Sequence, residues 1–190
     1  AVAFREALKP EFQTYAHKIV ENAQALAEAC LQESIPVLTG GTDNHLFLVD
    51  VTQKYGLTGR QAESVLRESG ITLNRNALPF DPNGAWFTSG LRLGTPAVTT
   101  LGMGVEQMQE IAEIIKMVLE NAKPALLKKG EKKGQPSRSK AILDSAIAET
   151  AQKRVEALLA QYPLYPELDL DLLVESLSTS EIEQREAVLA

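Results

Sequence analysis

Over residues 15–33, Ile19, Ala23, Leu26, Ala27 and Cys30 recur at three- and four-residue intervals, with Lys18, Glu21, Gln24, Glu28 and Gln32 between them. That period predicts an amphipathic helix. Pro36 and the Gly40-Gly41 pair end it and open a turn. Leu46 to Val51 is a short apolar run rich in branched residues, the pattern of a buried strand. Thr58 is placed to cap a helix reaching Arg67, and Gly70 supplies its left-handed stop. Residues 71–76 alternate apolar and polar side chains, which predicts a half-buried strand. Pro79 to Gly84 reads as a loop, and Ser89 to Leu93 as a third extended segment closed by Gly94 and Pro96. Helical spacing returns over 105–122, through Met108, Ile111, Ala112, Ile115 and Val118, and again over 142–160.

These elements predict an α/β protein: a two-layer small domain with a short sheet and covering helices. The strands are too few for a doubly wound sheet. The expected division is a helical segment at 1–33, a small domain at 34–122, a basic linker or surface loop at 123–140, and a helix with an acidic tail at 141–190. Residues 167–190 read equally as an amphipathic helix or a frayed tail. The 123–140 stretch carries Lys123, Lys128, Lys129, Lys132, Lys133, Arg138 and Lys140 among two prolines and two glycines. Such a run could meet a phosphate or an acidic surface.

Composition narrows the function classes. Only 5% of the 190 residues are aromatic, so the core rests on aliphatic side chains and alanine. A net charge of −6 argues against a general nucleic-acid binder. No apolar run reaches the length that crosses a bilayer, so no membrane association is expected. One cysteine rules out an internal disulfide and is compatible with the cytoplasm. The chain opens inside a helical pattern, which suggests a portion of a longer protein.

Few residues could carry chemistry. Two histidines and one cysteine do not build a zinc site. His17 reads as a surface residue and Cys30 as a buried inert thiol. Gly40-Gly41-Thr42-Asp43-Asn44-His45 concentrates turn formers and hydrogen-bonding side chains, as a tight turn requires. Arg92 lies between two leucines in an apolar segment flanked by Gly90 and Gly94. A buried guanidinium needs an anion, either an internal carboxylate or the carboxylate of a ligand. From the residues alone, both remain open.

Three stretches together resemble a known family: Gly40-Gly41-Thr42-Asp43-Asn44-His45-Leu46, Ile71-Thr72-Leu73-Asn74-Arg75-Asn76, and Phe87-Thr88-Ser89-Gly90-Leu91-Arg92-Leu93-Gly94-Thr95-Pro96-Ala97. In order and approximate spacing they are similar to signature stretches of serine hydroxymethyltransferases. The likeness extends over residues 1 to about 122 and returns more weakly at 161–166. It implies the C-terminal part of a fold-type I pyridoxal-phosphate enzyme. Such an enzyme interconverts serine and glycine, passes the one-carbon unit to tetrahydrofolate, and pairs as a homodimer. By this resemblance Arg92 binds the substrate carboxylate, and Asn76, Gly84, Ala85 and Trp86 contact the folate. The lysine that holds the cofactor belongs to a preceding large domain, so this chain alone is expected to be inactive, without a catalytic residue or metal ligand of its own. The family reads Ser-Pro-Phe where this chain has Gly84-Ala85-Trp86, and commonly arginine where it has Leu101. The alternative is a stand-alone, non-catalytic binding module derived from the same fold.

Overall fold

The structure, a computed structural model, describes residues 1–130, 132–166, 168 and 174. The expected tail at 167–190 therefore lies outside the described residues, apart from Leu168 and Val174.

Two helices open the chain. Helix α1 (Val2–Ala7) buries none of its residues. Helix α2 (Pro10–Gln32) begins five residues earlier than the periodicity predicts, because Pro10 occupies its first turn, where a missing N–H costs nothing. Its buried stripe is Asn22, Ala23, Leu26, Ala27, Ala29 and Cys30. After a short 3₁₀ turn, strand β1 (Leu46–Asp50) hands directly into α3 (Val51–Tyr55), whose first amides are capped by Asp50. Helix α4 (Gly59–Glu68) starts in a full capping box: the Thr58 hydroxyl accepts from the Gln61 amide, and the Gln61 side chain accepts from the Thr58 amide. It ends before Gly70, whose φ of +90° is the left-handed stop expected there.

Strand β2 (Asn74–Asn76) is half as long as the alternation over 71–76 predicts. One-turn helix α5 (Gly84–Phe87) and strand β3 (Gly90–Gly94) follow. The three strands form an antiparallel sheet in the order β1-β3-β2. Its inner face pairs Phe47 with Leu93 and Val49 with Leu91, all buried. A further short helix, α6 (Pro96–Thr100), precedes α7 (Val105–Asn121), which buries Met108, Ala112, Ile114, Ile115, Val118 and Leu119. Helix α7 packs on α2 and α4, and it is α2 and α4 that lie against the sheet. The architecture is α/β with small sheets and helices.

The 123–140 segment, expected as a linker or loop, instead builds an antiparallel hairpin from β4 (Lys123–Leu126) and β5 (Pro136–Ile142). Glycines and lysines concentrate at its tip, and this polar composition concealed two strands, of which β5 lies against α4. The buried Gln61 side chain donates to the carbonyls of Ser137 (2.5 Å) and Lys140 (2.9 Å), and the Thr58 hydroxyl donates to that of Arg138 (2.8 Å). Helix α8 (Ser145–Leu159) begins three residues later than expected, since Ile142 ends β5 and Asp144 caps the helix by accepting from the Ala146 amide. It is anchored to α7 by Arg154, which meets Glu110 through two nitrogens and Glu113 through one.

Candidate functional site

Strand alternation decides where Arg92 goes. Leu91 and Leu93 point into the core, so Arg92 emerges on the opposite face and is exposed. The expectation of a buried charge is therefore corrected: its leucine neighbours are buried and the guanidinium is not. In the register of the sheet, Arg92 sits between Leu48 of β1 and Asn74 of β2. Its Nε–H donates to Asn74 Oδ1 at 3.1 Å. Among the described residues, the cations in ion pairs are Lys9, Lys54, Arg75, Lys116 and Arg154. Among the described residues no carboxylate stands within 4.0 Å of Arg92.

Arg92 lines a cleft of about 460 Å³. The same cleft is lined by His45 and Asn74 and by apolar residues including Leu26, Val98 and Ile111. The lining joins a guanidinium, which can meet an anion through its two-pronged fork, to aliphatic surface. Thr42 and Asn44 organise the approach to β1, the Thr42 hydroxyl donating to the Leu46 carbonyl (2.6 Å) and Asn44 Oδ1 accepting the Leu46 amide (2.9 Å). The turn-forming reading of 40–45 thus matches the geometry, and His45 at its end adds a group to the cleft.

The second group of expected residues stands outside that cleft. Asn76 is half-buried at the end of β2, opposite Gly90, and its amide donates to the Ala77 carbonyl. Gly84, Ala85 and Trp86 form the first turn of α5, whose amides have no partner inside so short a helix. Gly84 adopts φ +69°, a conformation that costs a glycine little and that serine would resist. Trp86 is 64% exposed, with the guanidinium groups of Arg60 and Arg75 over its ring at 5.0 and 5.9 Å.

Asp81 builds this loop. Its carboxylate accepts from the amides of Leu78, Asn83 and Ser89 and from the Ser89 hydroxyl, at 2.7–3.0 Å. Burial would raise its pKa, but the Ser89 hydroxyl and the three amides outweigh that and hold it below the ordinary carboxylate value. Arg138 of the hairpin closes the loop from the other side, donating to the Asn83 side chain (2.9 Å) and lying over the Phe87 ring (4.3 Å). Cys30 is fully buried, and burial, helped by Glu33, pushes its thiol up to about 12. His17 is exposed on α2.

A family model described as serine hydroxymethyltransferase matches residues 1–115. The chain belongs to this family. It is 56% identical over 169 residues to the serine hydroxymethyltransferase of Treponema pallidum, covering 89% of this chain and 29% of that protein. Identity is 51% over 170 residues with the Salinispora tropica serine hydroxymethyltransferase and 48% over 174 with that of Chlamydia muridarum. Each alignment covers at least 90% of this chain and 34% of the relative. The chain thus spans about a third of the length of these curated relatives, and the part it matches is their C-terminal one.

Three residues of the site carry no role in the motif reading: Asn74, Asp81 and Arg138. Asp81 had a signal in the chain, since an Asp-Pro-Asn-Gly run is built to fold back on its own amides. Arg138 had none, because its partner lies 55 residues away. Among the described residues no group of three histidine, cysteine, aspartate or glutamate side chains could hold a metal ion, and no helix is long and apolar enough to cross a membrane.

Proposed function

We propose that this chain is the amino-acid- and folate-facing part of a cytoplasmic enzyme that interconverts serine and glycine and passes the one-carbon unit to tetrahydrofolate. The observation that carries the reading is Arg92: an exposed guanidinium at the edge of a partly apolar cleft, with no carboxylate partner among the described residues. Its fork holds the carboxylate of serine or glycine, and fixing that end orients the bonds at Cα. Apolar residues such as Leu26, Val98 and Ile111 line the same cleft and lower the polarity around it. Asn76, the amides of 84–86 and the Trp86 ring are assigned to the folate, with Asp81 and Arg138 holding their loop in shape.

Pyridoxal phosphate, when bound, supplies the electron sink that bond cleavage at Cα requires. The cleft around Arg92 does not fit that group. A carbonyl cofactor of this kind is held through an amine, and no lysine lines the cleft. The cofactor, its lysine and the dimer contact are assigned to the two thirds of the family's length outside this chain.

The test is serine turnover by residues 1–190 alone and by the full-length protein, each with and without tetrahydrofolate. The expected result is turnover by the full-length protein that depends on tetrahydrofolate, and none by residues 1–190. Turnover by residues 1–190, or a full-length rate indifferent to tetrahydrofolate, would contradict the proposal.

A further inference from the structure

Asn74 stands directly across from Arg92 in the β2–β3 register. Its two amide ends are both used: Oδ1 accepts the Arg92 Nε–H at 3.1 Å, and Nδ2 donates to the Arg75 carbonyl at 3.0 Å. Reversing the amide would oppose donor to donor and acceptor to acceptor, so one orientation alone satisfies both partners. The carbonyl that fixes it is itself held, because the Arg75 amide and guanidinium both bind Glu63.

An exposed arginine ordinarily samples many rotamers, and binding an anion must stop that motion. Occupying Nε removes much of this freedom before the ligand arrives. It also leaves Nη1 and Nη2, the two nitrogens of the end-on fork, for a carboxylate. We propose that Asn74 is a positioning residue for Arg92, preorienting its guanidinium toward the cleft so that the substrate carboxylate meets an ordered fork. The inference rests on the reading of Arg92 as the carboxylate anchor. Asn74 itself touches no substrate and acts through Arg92.

Two readouts separate this proposal from the reading beneath it. In the chain of residues 1–190, proton exchange at Arg92 Nε is followed by NMR in wild type, Asn74→Ala and Asn74→Asp. Exchange should accelerate in Asn74→Ala and stay slow in Asn74→Asp, which keeps the acceptor. In the full-length enzyme, Asn74→Ala should raise the serine KM about tenfold while kcat stays within about twofold, as expected for loss of one charge-assisted hydrogen bond. Arg92→Ala serves as the control and should abolish saturation by serine. Unchanged exchange or unchanged KM in Asn74→Ala, with Arg92→Ala still defective, overturns the positioning role and leaves the carboxylate reading standing. A normal serine KM in Arg92→Ala overturns both.

Discussion

Arg92 and Asp81 show how a side chain's role follows from its neighbours in the strand or loop. Arg92 is exposed because the residues on either side must be buried, and an exposed cation without a carboxylate partner among the described residues is available to a ligand. Asp81 is the opposite case, a carboxylate saturated by its own loop through four short hydrogen bonds. Its depressed pKa carries a stability consequence whose sign is fixed by linkage. The folded form binds its proton less readily than the unfolded form, so the contribution is present above the ordinary value of 3.8 and is lost as pH falls through the depressed folded value. Wild type should therefore lose stability on acidification below about pH 4, and Asp81→Asn should lack that component while being less stable at neutral pH. Urea denaturation of both proteins at pH 7 and pH 3 checks this; equal pH dependence would contradict it. The same substitution should loosen 84–86 and weaken folate binding in the full-length protein.

At the scale of elements, the hairpin β4–β5 is the feature that changes the picture most. Gln61 serves two structures at once: its oxygen closes the α4 capping box, and its nitrogen ties α4 to β5. Replacing it with leucine keeps the volume but strands the Thr58 amide and two strand carbonyls. Gln61→Leu should destabilise the fold by roughly 2–3 kcal/mol. Amide exchange should rise first in β5, before it rises in β1 or β3. If exchange rose uniformly, the hairpin would not be a separately anchored element. The helices α2, α4 and α7 and strands β1 and β3 were legible from the chain because their signals are local: period, cap and left-handed stop. The hairpin was not, because β5 is largely polar and its carbonyls are held by α4, nearly eighty residues earlier. One-turn helices α3, α5 and α6 were also missed, being too short for any period to register. In the site, Arg92 was legible as a cation needing an anion, its ligand role and the folate residues only through family resemblance, and the composition around Arg92 pointed to burial that the strand reverses.

For the whole molecule, the central fact is proportion. The chain carries a three-stranded sheet, helices packed against it and an exposed arginine lining a cleft, yet it spans about a third of the length of the serine hydroxymethyltransferases it resembles. The exposed apolar residues of α1 and early α2, Val2, Phe4, Leu8 and Phe12, accord with a protein that continues beyond this unit. In the proposed function, chemistry within the unit is divided between an anchor at Arg92 and a loop held by Asp81 and Arg138. Neither supplies an electron sink. The account therefore stands on Arg92 as the anchor of the amino-acid carboxylate. Its most direct test is the equilibrium affinity of the full-length enzyme for glycine, measured for wild type and Arg92→Ala with cofactor content monitored alongside. The account predicts unchanged cofactor content and a loss of glycine affinity of about a hundredfold or more, the scale of a lost bidentate ion pair. Equal glycine affinity in the two proteins would contradict it.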